Sequence, residues 1–470
     1  MTHGGTHNNA NNATYEGGSA GGRPGVVFLG LLLLSATTAS AGVATVLPAL
    51  TARLALDGPA GAWLMAVYAT GFAVATPLFG RAVDLYGLRA AMVSGLLLMV
   101  AGSLTCLFAS PLAVLLAGRA VQGAGGGAVP VVAGAALLAR ADRRAQRRGL
   151  GGFTALMTLT STTVPVLAGL SAQLAGPRAL FVVSSVLALA LLPASRGIPS
   201  QARGAPAPFG LAAAAGVIAV VSGLLLGVRA ATDPRASAGW IPPLAGALLL
   251  AGGAVVRGTR RAIVPVRLLR ERRVAVVVAA GFALFGTYFA LQLAIPALLA
   301  AARGWSPAHI GLVLLPVGVC GALGSWAAGR RDGHRSPAPL LAAVGAAGTA
   351  SLACAAVWPG VPWVPVAAFG VISACIGAGN VVLLGALALA VGDRAHGSAL
   401  GLYNLVFYMG GSLTAAVTGR LLPLSPGLTL AALAVLPVTT LLLAALWGHH
   451  DTTETPRAPA PESRAGRRAG

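Results

Sequence analysis

Residues 80–89 read Gly80-Arg81-Ala82-Val83-Asp84-Leu85-Tyr86-Gly87-Leu88-Arg89. Apolar runs at 60–80 and 90–109 flank this short charged stretch. Gly80 lets two helices approach closely, and Gly87 permits a tight turn. Asp84 can accept backbone N–H groups at a helix start and can pair with Arg81 or Arg89. A charged turn between two runs of about 20 apolar residues is the joint of two membrane helices. The plain alternative is a solvated turn with no further role.

Apolar runs of spanning length continue on both sides of the turn. They fall near 26–52, 60–80, 90–109, 112–139, 150–175, 178–195, 208–228, 240–256, 274–302, 307–328, 338–358, 361–391, 397–419 and 426–447. The chain has 470 residues, of which 56% are hydrophobic and 9% charged, with mean hydropathy +0.82. Soluble domains carry about 25% charged residues, so an ordinary soluble enzyme and a disordered scaffold are both excluded. The expected fold class is an all-α polytopic membrane protein with fourteen transmembrane helices. Aromatic residues make up only 5% of the chain, and 64 glycines accompany the alanines, so small residues must carry much of the helix packing.

The net charge of +21 comes from 32 basic residues, all arginine. In a soluble protein it would suggest nucleic acid; here the arginines lie between apolar runs and report topology. With a cytoplasmic N-terminus, 25 of them fall on inner segments and six (Arg53, Arg178, Arg229, Arg235, Arg303, Arg420) on outer ones, leaving Arg119 within a span. That bias places both termini in the cytoplasm and the protein in the cell membrane. The densest inner loop, 257–273, reads RGTRRAIVPVRLLRERR. It is basic and amphipathic, and is expected to lie on anionic headgroups. Residues 1–25 are polar, without a cleavable signal pattern, and are expected to be a disordered cytoplasmic leader. Composition likewise predicts a disordered cytoplasmic tail over 448–470. The four cysteines (Cys106, Cys320, Cys354, Cys375) lie in apolar runs without metal-ligand spacing, and read as free, buried thiols.

The turn around Asp84 resembles the loop between spans two and three of the major facilitator superfamily: Gly, three residues, Asp, two residues, Gly, then a basic residue. In the family this loop latches the two halves together on the cytoplasmic side, so the resemblance makes Gly80, Asp84, Gly87 and Arg89 a conformational latch. Arg119-Ala120-Val121-Gln122-Gly123 in the fourth span looks like the family's Arg-x-x-Gln-Gly motif. Val164-Pro165-Val166-Leu167-Ala168-Gly169 in the fifth is similar to the exporters' Gly-Pro-x-x-Gly-Gly signature, of which Pro165 and Gly169 survive. Fourteen spans, the Gly304-Trp305-Ser306-Pro307 turn and the run Gly401-Leu402-Tyr403-Asn404…Gly410-Gly411 resemble the drug:proton antiporter branch. The resemblance implies two six-helix bundles at 26–195 and 274–447, with two extra helices and the basic loop at 196–273. The glycine run Gly123–Gly127 mimics a dinucleotide fingerprint, but no strand precedes it, and close helix packing explains it better.

Antiporters of that branch carry an Asp within the first span; alignment on Pro48 puts Ala39 there. All eleven acidic residues of this chain fall in loops, at helix ends or in tails. Arg119 is the only charge deep in a span, seven residues in from Leu112, or about 10 Å. Three readings stay open for it: bonding helix carbonyls, facing a cavity and attracting an anionic substrate, or snorkelling outward. Further polar candidates for a substrate cavity are Gln122, Tyr68, Tyr288, Gln292, Asn380, Tyr403, Asn404 and Tyr408, each of which could instead be a helix–helix hydrogen bond. No His-Glu-x-x-His, Gly-x-Ser-x-Gly or mid-membrane His or carboxylate occurs, so no enzyme, catalytic residue, cofactor or metal is expected. The expected function is secondary active export of small amphipathic compounds by a monomer, with protons as the candidate coupling ion and no nucleic acid partner. The alternatives are an importer, or potential-driven export of an organic anion, which about 2.3 kcal/mol per charge per 100 mV would favour.

Overall fold

A computed structural model describes residues 26–43, 46, 50, 53–54, 58–138, 142–198, 211–232, 241–258, 266–305, 307–331, 336–391 and 396–453. The expected leader, residues 259–265 of the basic loop and the tail beyond Thr453 lie outside the described residues. Those described are helical almost throughout. The reason lies in the backbone: without water to bond to, each N–H and C=O must be satisfied within its own segment. Large apolar side chains such as Leu174, Leu250, Leu312 and Leu442 face outward, as the apolar surround of a membrane span requires.

Helix α1 (Val26–Thr37) continues into a wide π-helical turn, Thr38–Gly42. Helix α2 (Gly58–Phe108) is two spans joined at Gly87, whose φ of 84° and ψ of 168° interrupt the helical path. Then follow α3 (Leu112–Leu138), α4 (Arg143–Ala175), α5 (Ala179–Ala194), α6 (Leu211–Thr232) and α7 (Ile241–Gly258). The remainder are α8 (Arg272–Arg303), α9 (Pro307–Gly329), α10 (Ala338–Val357), α11 (Trp363–Val391), α12 (His396–Leu421), α13 (Pro426–Leu433) and α14 (Val435–Thr453). Ten described helical stretches are long and apolar enough to cross a membrane, and three shorter apolar ones join them. One of the ten, Val67–Phe108, is broken at Gly87 into two.

Some details differ from expectation. Helix α4 starts at Arg143, well before the apolar run, because Asp142 caps it: its carboxylate accepts the N–H groups of Arg144 and Ala145. Helix α14 runs past the apolar run through His449 to Thr453, so the first residues of the expected tail are helical. Only Cys106 and Cys375 are buried; Cys320 is half-buried and Cys354 is exposed on the outer surface of α10, where an apolar thiol meets lipid as readily as core. Between the end of α7 at Gly258 and the start of α8 at Arg272, the described part of the basic loop contains a short 3-10 turn, Val266–Arg270. Its Leu268 and Leu269 pack on the bundle while Arg270, Arg272 and Arg273 are exposed.

The helices before α6 pack mainly among themselves, as do those after α7, and the two groups meet along two seams, α2 with α12 and α4 with α9. Helices α6 and α7 pack on one another, and α6 covers the first seam: Val217 and Val221 join Val74 of α2 and Leu402 of α12 in one apolar cluster. Both seams are drawn tight by missing side chains. A Cβ on Gly80 would strike the Gly397 carbonyl, and one on Gly397 would strike the Gly80 carbonyl. A Cβ on Gly151 would lie 2.8 Å from the Ser325 carbonyl oxygen and 3.0 Å from Gly329 Cα.

Valine at Gly397 should therefore hold the seam open, at an overpacking cost of roughly 1–3 kcal/mol. With the native cysteines replaced and Ser398→Cys as reporter, a membrane-impermeant maleimide should label the Gly397→Val protein faster than its Gly397 parent. Equal rates would show that the close approach does not keep this end shut.

Candidate functional site

The sequence places Asp84 three residues before the glycine that breaks α2. Its carboxylate turns away from its own helix to the start of α12. Oδ1 accepts the Gly397 N–H at 3.1 Å, and Oδ2 accepts the Ser398 N–H at 3.0 Å together with the Ser398 hydroxyl. Asp84 is thus the N-cap of a helix in the other half of the molecule. The first N–H groups of any helix lack internal partners and carry the positive end of its dipole, so a carboxylate there is well placed. The Gly80–Gly397 contact brings the two helices close enough for that reach. Arg89, the last residue of the expected latch, is half-buried just beyond Gly87.

Arg119 sits in α3 with no exposed surface. Nε donates to the Leu64 carbonyl at 3.2 Å, Nη1 donates to the Ala39 carbonyl at 2.7 Å, and Nη1 also reaches Gln122 Oε1. The guanidinium carbon lies 4.3 Å from the centre of the Tyr68 ring, a cation–π arrangement. Gln122 in turn donates to Ser103 Oγ at 2.7 Å. At the end of the π turn the Val43 N–H bonds Ser40 O and not the Ala39 carbonyl four residues back. Where the related antiporters are expected to carry a carboxylate, this chain meets its buried cation with a main-chain oxygen. The fully buried side chain excludes snorkelling in this conformation. One nitrogen, Nη2, has no described hydrogen-bond partner.

A separate polar group lies between the halves. A small cavity is lined by Phe153 and Met157 of α4 and by Asn380, Tyr403, Asn404 and Tyr408 of α11 and α12, among others. Tyr403 donates to Asn380 Oδ1 at 2.7 Å, and Asn404 Nδ2 donates to the Leu400 carbonyl at 2.8 Å. An aromatic cluster borders it: Tyr408 meets Phe72 edge-on at 4.4 Å, and Phe285 stacks on Phe407 at 4.1 Å.

The candidate cavity residues thus divide. Arg119, Gln122 and Tyr68 form one network, and Asn380, Tyr403 and Asn404 line the cavity. Tyr288 joins neither: it is buried, its hydroxyl has no described partner, and its ring lies near Phe285 and Phe369. Gln292, one turn on, is half-buried, and no described hydrogen bond ties it to either group. In the degraded exporter signature, Pro165 is half-buried and nothing lies within 4 Å of a Cβ on Gly169. The packed positions are Val164 and Ala168, both fully buried; a Cβ on Gly42 of the π turn would stand 3.0 Å from Leu180 and 3.3 Å from Val164. Sequence reasoning missed Phe153, Met157 and Phe407, because an apolar side chain in an apolar span carries no mark of what it faces.

Two helical halves closed at one end by glycine seams and a transverse helix cap, with a cavity between them, make the architecture of a two-halved membrane carrier. The chain belongs to the Major Facilitator Superfamily, whose model matches residues 27–415. It is similar to the drug efflux pump JefA of Mycobacterium tuberculosis, 29% identical over 76% of this chain and 72% of that one. It is 28% identical to the multidrug resistance protein Stp of the same organism, over 60% of this chain and 53% of that one. The methylenomycin A resistance protein of Bacillus subtilis is 28% identical over 62% of this chain and 63% of its own. The matched region thus spans about half the length of Stp. Among solved structures, the human organic anion transporter MFSD10 superposes with a TM-score of 0.67 at 15% identity, covering 89% of this chain and 98% of that one. The proton:xylose symporter XylE does so at 0.63 and 16% identity, covering 90% and 98%.

Lysine at position 119 keeps the charge but cannot bridge carbonyls on two helices while lying over a ring. Arg119→Lys should leave one carbonyl unpaired, costing about 1–3 kcal/mol, and should lower the thermal midpoint of the purified protein. An unchanged midpoint would mean that the network contributes nothing to stability.

Proposed function

We propose that the protein is a secondary active transporter of the cell membrane, with both termini cytoplasmic, that exports small amphipathic compounds such as drugs, antibiotics or natural products by alternating access. The observation that carries this reading is the Asp84 cap on α12. It joins the halves at the arginine-rich end, which the charge bias assigns to the cytoplasm. A carrier held shut on that side and able to release there is suited to taking cargo from the inside and discharging it outside. The names of the efflux and resistance relatives agree with this direction. The protein acts as a monomer, without catalytic residues, cofactor or nucleic acid, and the arginines of 257–273 rest on anionic headgroups.

Coupling follows from where the carboxylates lie. Asp84 is the acidic group whose hydrogen bonds must break when the halves part, so a proton taken up there would weaken the cap and favour opening. Gly80, Gly87 and Arg89 shape and flank that latch. The reading in which Arg119 binds an organic anion draws no support from this geometry, because its guanidinium is engaged with carbonyls and is not among the cavity-lining residues.

Expression in an efflux-deficient host should raise resistance and lower retention for part of a chemically broad panel, and Asp84→Ala should abolish most of that gain. No change in either measure across the panel would remove the export reading. In everted vesicles, uptake should follow an imposed pH gradient; uptake that follows membrane potential alone would exclude proton exchange at Asp84.

A further inference from the structure

The cavity between α4, α11 and α12 has a composition that bears on cargo. None of its ten described lining residues carries a charge: they are aromatic, aliphatic, Met157, Pro130 and the two amides Asn380 and Asn404. The described hydrogen bonds use only half of each amide. Asn380 accepts from Tyr403 through Oδ1, and Asn404 donates to Leu400 through Nδ2. These bonds also fix which way each amide points. Asn380 Nδ2 therefore remains as a donor and Asn404 Oδ1 as an acceptor. Neither atom is among the buried polar atoms that lack a partner, so each has access to open space, and the cavity both residues line is where that space lies. The Tyr408 hydroxyl is likewise in the lining. Around these polar points stand ring faces and edges, Phe407 stacked with Phe285 at 4.1 Å and Tyr408 edge-on to Phe72 at 4.4 Å.

Resting on the export reading above, we propose that this cavity is the cargo site and that it selects uncharged, flat, conjugated molecules that carry a hydrogen-bond acceptor next to a donor, as a carboxamide does. The acceptor bonds Asn380 Nδ2, the donor bonds Asn404 Oδ1, and the ring lies against Phe407 and Tyr408. A full charge entering this lining finds no counter-ion among the described residues and loses its hydration without compensation. The nearest buried cation network, at Arg119, is already engaged with main-chain oxygens.

The test needs no variant at its core. Saturation-transfer NMR on the full-length protein in nanodiscs compares benzamide, benzamidine and benzoate, which share one ring and differ in charge. Benzamide should show the strongest transfer, with the two ions at least about tenfold weaker, the scale of one uncompensated interaction of about 1.4 kcal/mol. Asn380→Leu and Asn404→Leu should each weaken benzamide several-fold, and Asn404→Asp should raise benzamidine above benzamide. Binding of benzamidine or benzoate equal to benzamide in the unaltered protein would overturn the proposal while leaving export intact. Benzamide binding unaffected by both leucine variants would overturn it too, as would no binding of any probe. The resistance and retention assay then decides separately whether the export reading survives.

Discussion

In a bilayer each polar group must find its partner inside the bundle, and the conformation of this chain follows from where such partners exist. The clearest instance is Arg119. A guanidinium at this depth costs several kcal/mol without compensation, and its described hydrogen-bond partners are carbonyl and amide oxygens, not a carboxylate. The bundle answers with geometry: the π turn after α1 offers the Ala39 carbonyl, α2 offers the Leu64 carbonyl, and Tyr68 offers a ring face. Three helices are thereby fixed around one side chain. Ser and Thr hydroxyls follow the same rule locally, many of them bonding a carbonyl one turn back, as Thr158 bonds Thr154.

Asp84 resolves the same demand differently. Its partners are the N–H groups of Gly397 and Ser398, 313 and 314 residues later, at the start of α12, so one carboxylate both satisfies a helix terminus and joins the halves. The contact works only because Gly80 and Gly397 remove the side chains that would hold α2 and α12 apart. The second seam, Gly151 against Ser325 and Gly329, uses the same device at α4 and α9. Parting the first seam breaks this backbone contact and the cap, and also separates Val74 from Leu402 and Phe72 from Tyr408. Helix α6, lying over the first seam through Val217 and Val221, adds an apolar cover on its membrane side.

The sequence by itself determined the helices, their approximate ends, the bias of arginine to one side and the importance of residues 80–89. Those conclusions need only hydropathy, length and local turn chemistry, all of which are short-range. It also marked Arg119 as the one deep charge and Ala39 as the position opposite expectation. What it left open was partnership. That Ala39 answers Arg119 through its carbonyl depends on a π turn no composition signals, and the two lie 80 residues apart. That Asp84 caps α12 and not its own helix, that Asn380 and Asn404 share a cavity while Gln122 does not, and that Gly42 packs against Leu180 and Val164 were decided by packing alone. In spans that are apolar on every face, periodicity does not distinguish lipid-facing from partner-facing positions. Which residues meet is settled only when the helices close on one another.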